Sequence, residues 1–291
     1  MKTNNITTVL VTGGKGQLAS CIKDIENQYQ DLKIIYTDYQ DLNICNLQQL
    51  QAFFQDNKID YCINCAAYTA VDKAESEQEL AFKINAEGPK NLALVCKEHR
   101  VVLIHISTDF VFDGNKNEPY LETDTPNPLS VYGASKLQGE VEIQNTLKEH
   151  FIIRTSWLYS EHGHNFMKTM LRLAETCDEI SVVSDQIGAP TYAGDLAKLV
   201  LNIIRDKKTA YGLYHYSNGG AVSWYGFAKA IFELSGKAVK VHPIATAAYP
   251  TAAKRPRYSV LDVAKIRQQQ ELFNDGWESR LETVLKKGVK S

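Results

Sequence analysis

The stretch Ile6-Thr-Thr-Val-Leu-Val-Thr-Gly-Gly-Lys-Gly-Gln-Leu-Ala19 decides the fold. Its β-branched run, Val9 to Thr12, stops at Gly13-Gly14, and Leu18, Cys21, Ile22 and Ile25 then recur at helical intervals. Strand, tight glycine turn and helix, in that order, lift a glycine pattern above chance. Gly13 permits the turn, and Gly16 lets backbone N–H groups at the helix start approach a pyrophosphate. Ala19 stands where the usual fingerprint has its third glycine, which is the looser G/A form. The next apolar run, Leu32 to Asp38, ends in an acid placed to hold ribose hydroxyls. Lys15 favours a 2′-phosphate and hence NADPH, whereas Asp38 favours NADH, so the choice between NADPH and NADH stays open.

Outward from this turn, strands and helices alternate. Asp60 to Ala67 reads as a strand that runs into small residues. Glu75 to Ile84 and Lys90 to Glu98 read as helix, with Gly88-Pro89 a kink or break between them. Val101 to Ser107 is a continuous apolar run, as expected for a strand covered on both faces. The loop from Asp113 to Ser130 is rich in Asn, Pro and Asp. Beyond it come strand-like Ile152 to Trp157, a helix from about Asn165 to Glu175, and a tail, Ala264 to Gly288, that is helical in two pieces around Asp275-Gly276. This alternation predicts an α/β fold, a Rossmann-type doubly wound parallel sheet with ligands at the strands' C-terminal ends. Residues 1–157 form the dinucleotide-binding part, to which later segments return, and residues 158–291 form mainly a smaller C-terminal α/β substrate-binding lobe.

Composition narrows the partners. The chain has 291 residues, of which 44% are hydrophobic, enough for a sizeable core. A formal charge of −2 gives no reason to expect nucleic acid or a membrane surface. The N-terminal apolar run is too short for a signal segment, and nothing approaches a membrane span, so a cytoplasmic protein is expected. Of the six cysteines only Cys62 and Cys65 have a metal-like spacing. Their odd separation on a strand sends them to opposite faces, and no second pair completes a zinc site, so no metal is expected. His162 and His164 read as a solvated loop and His105 as a satisfied core residue.

Tyr132 and Lys136 stand four apart in Ser130-Val-Tyr-Gly-Ala-Ser-Lys136, on one face of a helix. An ammonium beside a phenol favours phenolate, which suits proton exchange with a sugar or alcohol oxygen. Thr108 directly follows the strand through Ser107, so its hydroxyl faces the cofactor crevice. Ala66-Ala67 close the neighbouring strand with Tyr68 and Thr69 behind, small enough for a nicotinamide ribose to approach. A hydroxyl, a phenol and an ammonium around a nicotinamide make a hydride-transfer site for a carbonyl.

An ordered set of short motifs extends these readings. It runs through Gly-Gln-Leu-Ala at 16–19, Ala-Ala-Tyr-Thr-Ala-Val-Asp-Lys-Ala-Glu at 66–75 and Ser-Thr-Asp-Phe-Val-Phe-Asp-Gly at 107–114. Val-Tyr-Gly-Ala-Ser-Lys-Leu-Gln-Gly-Glu follows at 131–140, Arg-Thr-Ser-Trp-Leu-Tyr at 154–159 and Asn-Phe at 165–166. Asp-Gln-Ile-Gly-Ala-Pro-Thr at 185–191 and Lys-Arg-Pro at 254–256 complete it. With these the chain resembles the extended short-chain dehydrogenase/reductases, and within them the dTDP-4-dehydrorhamnose reductases, over almost its whole length.

The resemblance implies NAD(P)H-dependent reduction of the C4 ketone of dTDP-4-dehydro-6-deoxy-L-mannose to dTDP-L-rhamnose. Thr108, Tyr132 and Lys136 match the catalytic triad, and Tyr132 and Lys136 also border the cofactor. Gly13, Gly16, Gln17, Leu18, Asp38, Ala66, Ala67, Tyr68 and Thr69 fall on cofactor contacts. Asn43-Ile44 falls against the adenine, where the family usually has Asp at the first position. Asp109 and Trp157 match positions that hold the sugar. Asp72, Glu75, Asn165, Gln186 and Arg255 are implied contacts to sugar, phosphate or thymine, although Asp72 and Glu75 also suit helix capping, Trp157 a core and Arg255 an exposed basic turn. Some members pair through a magnesium held by interface glutamates, which the resemblance places near Cys21 and Gly194. Neither is a carboxylate, so a monomer or a metal-independent dimer is expected. Two alternatives remain: a reductase of another 4-keto nucleotide sugar, and a non-catalytic regulatory subunit like the beta subunit of methionine adenosyltransferase.

Overall fold

Alternation in Thr7–Thr12 (β1) sends Val9 and Val11 to one face of a sheet and Leu10 to the other. The computed structural model describes residues 6–269 and 276–288. Four more strands follow: Leu32–Thr37 (β2), Tyr61–Asn64 (β3), Val102–Thr108 (β4) and His150–Thr155 (β5). With Gly212–His215 they form a six-stranded sheet in the order Gly212–His215, β5, β4, β3, β1, β2, every neighbouring pair parallel. The chain goes from β1 outward to β2, then crosses back to β3 on the other side of β1. That reversal opens a crevice at the C-terminal ends of β1 and β3.

Helices cover both faces. Gln17–Ile25 (α1) buries Leu18, Cys21 and Ile22 on the Val9 face. Leu47–Asp56 (α2) contributes Leu50 and Phe54 to the Leu10 face. Cys62 lies in that second core, whereas Cys65 packs on the first, so the two thiols do take opposite faces. Two short helices, Val71–Ala74 (α3) and Gln78–Phe82 (α4), lead into Gly88–His99 (α5) and Val131–Thr146 (α6). The expected break at Gly88-Pro89 is absent: a π-turn over Lys83–Glu87 joins α4 to α5, and Pro89 sits in the first turn of α5. A proline there removes a donor that the start of α5 does not need, and the widened turn accommodates its ring.

Two strand ends also differ from the sequence reading. β4 includes Thr108, and β5 stops at Thr155, leaving Trp157 outside it in a left-handed conformation with φ 47°. Beyond β5, Ala193–Arg205 (after Phe166–Leu173, α7, it is α8) returns to pack its apolar face against α1. A separate apolar cluster gathers Met167 and Met170 of α7, Phe227 and Ile231 of Trp224–Ser235 (α9), and Trp277 and Leu281 near the end of the chain. Beside it Glu179–Val183 pairs in parallel with Lys240–Ile244. The tail is helical at Ala264–Gln269 and Trp277–Lys287; Asp275, expected at the break, lies outside the described residues. Among the described residues no helix is long and apolar enough to cross a membrane.

Candidate active site

At the crevice, Gly13 adopts φ 66°, and a Cβ there would lie 2.8 Å from the Ala66 backbone nitrogen. Only glycine allows the β1 turn to press so closely on the end of β3. Gly16 caps α1 with no side-chain hydrogen bond, which leaves the helix start suited to an anion. Lys15 and Asp38, the two conflicting cofactor cues, face each other at 3.6 Å. Leu18 and Ile44 are buried core residues. Asn43 Oδ1 accepts from the Cys45 N–H, shaping the turn before α2. The loop after β3 holds Ala66, Ala67, Tyr68 and exposed Thr69, and Asn85 from the π-turn clamps it. Asn85 accepts from the Tyr68 N–H at 2.8 Å and donates to the Tyr68 carbonyl at 3.0 Å.

At the end of β4 three chemical groups meet. Glu75 does not cap its own helix; its Oε1 accepts from the Val131 N–H at 2.8 Å and so anchors the start of α6, where Ser130 also caps. That places Tyr132 edge-on against Phe110, ring centroids 5.6 Å apart. Burial pushes the phenol up to about 12; a hydrogen bond with Thr108 opposes this, and the charge of Asp109 adds to it. Thr108 donates to Asp109 Oδ1 at 3.2 Å, while Asp109 Oδ2 is buried without a partner. Burial raises the Asp109 carboxyl to about 6, against hydrogen bonds from Ser259 and Thr108.

The Lys136 ammonium end lies under β4, 2.7 Å from the Ile106 carbonyl and 3.2 Å from His105 Nε2. The i,i+4 spacing aligned the backbone positions, but a fully buried side chain follows the nearest acceptor. Burial lowers Lys136 to about 8, against the charges of Glu140 and Cys65.

Beside these groups opens a cleft of about 430 Å³. Trp157, Gln186, Asp72 and Arg255 line it, together with Phe166 and Trp224. Trp157, half-buried against the apolar cluster around Met167 and Phe227, stacks on Trp224 with centroids 3.5 Å apart and planes 8° from parallel. Gln186 donates to Thr246 Oγ1 at 3.0 Å. Arg255 is no exposed turn, since both terminal nitrogens grip Asp72, at 2.6 and 3.0 Å. That guanidinium holds the Asp72 carboxyl below its ordinary range. Asn165 is absorbed locally: it caps α7 and donates to Gln17 Oε1 at 2.8 Å, so two expected ligand contacts bind each other.

His162 and His164 lie in the loop before α7, His164 exposed and His162 half-buried with its ring pairing with Asp24 at 2.6 Å. Asp24, Glu161 and His162 bring ligand-type atoms within 4.8 Å of one another. Near them Cys21 is buried, and a Cβ at Gly194 would strike the Tyr192 ring. Sequence reasoning missed Trp224, Phe110 and Asn85. Trp224 opens a helix after a serine cap and has no periodic signal; only its partner, 67 positions upstream at Trp157, gives it meaning.

Residues 7–289 match the family model described as RmlD substrate binding domain. The chain is 40% identical over 286 residues to a dTDP-4-dehydrorhamnose reductase of Aggregatibacter actinomycetemcomitans, covering 95% of this chain and 97% of that one. A crystal structure of a dTDP-4-dehydrorhamnose reductase from Clostridium acetobutylicum superposes with a TM-score of 0.92 at 43% identity, over 96% of this chain and 99% of that one. The Bacillus anthracis enzyme of the same name, solved in complex with NADP, gives 0.93 at 41% identity, over 97% and 99%.

Proposed function

The chain belongs to the dTDP-4-dehydrorhamnose reductases, and from that premise we propose how its residues divide the reaction. The enzyme uses NAD(P)H to reduce the C4 ketone of dTDP-4-dehydro-6-deoxy-L-mannose to dTDP-L-rhamnose. When bound, the reduced nicotinamide supplies the hydride. Gly13 and Gly16 at the uncapped start of α1 would hold its pyrophosphate, Asn43 and Ile44 its adenine side and Ala66–Thr69 its ribose.

Tyr132 holds the proton destined for the C4 oxygen, and Thr108 turns its hydroxyl from Asp109 Oδ1 to donate a hydrogen bond to the same atom. The observation that carries this reading is the meeting of Thr108, Tyr132 and the unpartnered Asp109 Oδ2 beside the cleft. Asp109 accepts a sugar hydroxyl, Trp157 offers an indole edge to the sugar, and Gln186 and Arg255 serve the nucleotide end. Purified protein should oxidise NADPH only when the keto sugar is present, and Tyr132→Phe should abolish most of that turnover. NADPH oxidation unaffected by Tyr132→Phe would refute the assignment. We infer a monomer or a metal-independent dimer; a chelator that changes the sedimentation of the protein would overturn this.

A further inference from the structure

The aromatic rings that line the cleft are nearly all engaged with one another. Phe110 meets Tyr132, ring centroids 5.6 Å apart, and Trp157 meets Trp224 at 3.5 Å. Phe166 packs on Trp224 at 4.6 Å and on Phe227 at 5.7 Å. Tyr249 differs. It lines the same cleft, yet among the described residues its ring packs on no other ring and its hydroxyl makes no hydrogen bond. The side chain is 59% exposed, beside an apolar wall that includes Met170, Leu173, Ile180 and Val182.

The segment that carries this ring is fixed on both sides. Thr246 donates its N–H and its hydroxyl to Asp185 Oδ1, at 2.9 and 2.7 Å, and its hydroxyl oxygen accepts from Gln186 at 3.0 Å. The short turn Thr246–Ala248 then ends at Tyr249, whose N–H returns to the Thr246 carbonyl at 3.0 Å. Past it, the Thr251 hydroxyl donates to the Ala253 carbonyl at 2.9 Å. The Ala253 N–H donates to Asp72 Oδ1 at 3.1 Å, on the carboxylate that Arg255 grips. A tyrosine has only two rotatable side-chain bonds, so a ring mounted on such a backbone loses little freedom when a ligand covers it.

We propose that Tyr249 is the stacking platform for the base of the nucleotide sugar, a binding residue with no part in the chemistry. The reacting sugar carbon has to reach Tyr132, which Phe110 borders, and the diphosphate calls for the Arg255 guanidinium. The base is the remaining part of the ligand, flat and uncharged. It is matched by the remaining feature of the cleft, an uncommitted ring beside an apolar wall. Stacking needs only the π-face that every base presents, so the free ring suffices without a hydrogen bond from its hydroxyl. The inference deepens the reductase reading and rests on its placing of the nucleotide end at Gln186 and Arg255.

Calorimetric titration of the full-length wild type, Tyr249→Ala and Tyr249→Phe with dTDP, dTDP-rhamnose and NADP⁺ tests it. Tyr249→Ala should weaken dTDP and dTDP-rhamnose by the same factor, about tenfold or more, the range for losing one base stack. Tyr249→Phe should bind both like wild type, and NADP⁺ affinity should hold in every variant. A loss confined to dTDP-rhamnose would put the ring over the sugar and overturn the proposal. So would a loss in Tyr249→Phe as large as in Tyr249→Ala, which would make the hydroxyl the contact. Unchanged dTDP affinity in Tyr249→Ala, or an equal loss for NADP⁺, would refute it as well. Wild-type protein that binds dTDP but leaves the keto sugar unreduced would remove the reductase reading and leave the stacking result standing. Wild-type protein that does not bind dTDP would remove both.

Discussion

Trp157 and Trp224 lie face to face, 3.5 Å between ring centroids, and the stack holds Trp157 at a backbone φ of 47°. A left-handed tryptophan costs about 1–3 kcal/mol and persists only where its surroundings over-determine it. Gly188 is the second restraint: a Cβ there would come within 2.4 Å of Trp157 Cε2. Gly188→Ala should therefore displace the indole and weaken dTDP-sugar binding by about 1–3 kcal/mol, the range for overpacking. Calorimetric titration should find NAD(P)H affinity almost unchanged; an equal loss for both ligands would mean that the glycine supports the whole fold.

Tyr132→Phe removes the proton donor and keeps the ring against Phe110. Turnover should fall by roughly 10²-fold or more, the range for general acid catalysis, with little change in the melting temperature. Steady-state kinetics and a thermal melt on the same preparation separate the two.

Asp109 should make the protein less stable as pH rises. Its folded value of about 6 lies above the ordinary 3.8, so the folded state binds the proton more tightly than the unfolded chain does. The stability is complete below about 3.8, declines through the window up to about 6, and is level above it. Asp109→Asn escapes this loss and should gain up to about 3 kcal/mol over wild type at neutral pH. Melts of both proteins across that window check the sign; a difference that grows toward acid pH would contradict it. Sugar binding should weaken in the same variant.

Arg255→Ala should weaken nucleotide-sugar binding by about 1.5–3 kcal/mol, as for hydrogen bonds to charged groups, and leave NAD(P)H untouched. Asp72 occupies that guanidinium with two hydrogen bonds. Asp72→Asn should consequently leave dTDP affinity equal or tighter, because it removes a competitor for the same donors. Loss of affinity in Asp72→Asn would instead make Asp72 a ligand contact in its own right.

Lys15, largely exposed, lies 3.6 Å from Asp38, so the preference between NADPH and NADH should depend on it. Removing its charge leaves Asp38 facing the 2′ position alone. Lys15→Ala should lower kcat/KM for NADPH about tenfold relative to NADH, a difference of about 1.4 kcal/mol. An unchanged ratio would assign the discrimination elsewhere.

The sheet was legible because strands covered on both faces must be largely apolar, as in Leu103-Ile104 and Phe151 to Ile153. Strand ends were less so, since hydrogen bonding rather than hydrophobicity ends them at Thr108 and Thr155. Pro89 suggested a break because local rules do not register a widened turn. Tyr132 and Lys136 could be placed on one helix, but spacing does not tell where a flexible ammonium goes. The contact between Asn64 Nδ2 and His105 Nδ1, 2.9 Å apart across β3 and β4, was hidden for a related reason: the two residues lie on different strands and look, one at a time, like isolated polar residues in apolar runs.

The strand Gly212–His215 lies beside β5, although residues 156–211 come between them. During synthesis β5 leaves the ribosome before its outer neighbour exists, with Phe151, Ile152 and Ile153 along an unpaired edge. At about 5–20 residues per second that interval lasts several seconds. An apolar strand edge is a template for other chains. Nascent copies therefore pass through a window in which a chaperone, and not the finished sheet, must cover β5. Translation stalled between residues 156 and 211 should leave aggregating fragments, whereas stalling well beyond residue 215 releases chains whose edge is already closed.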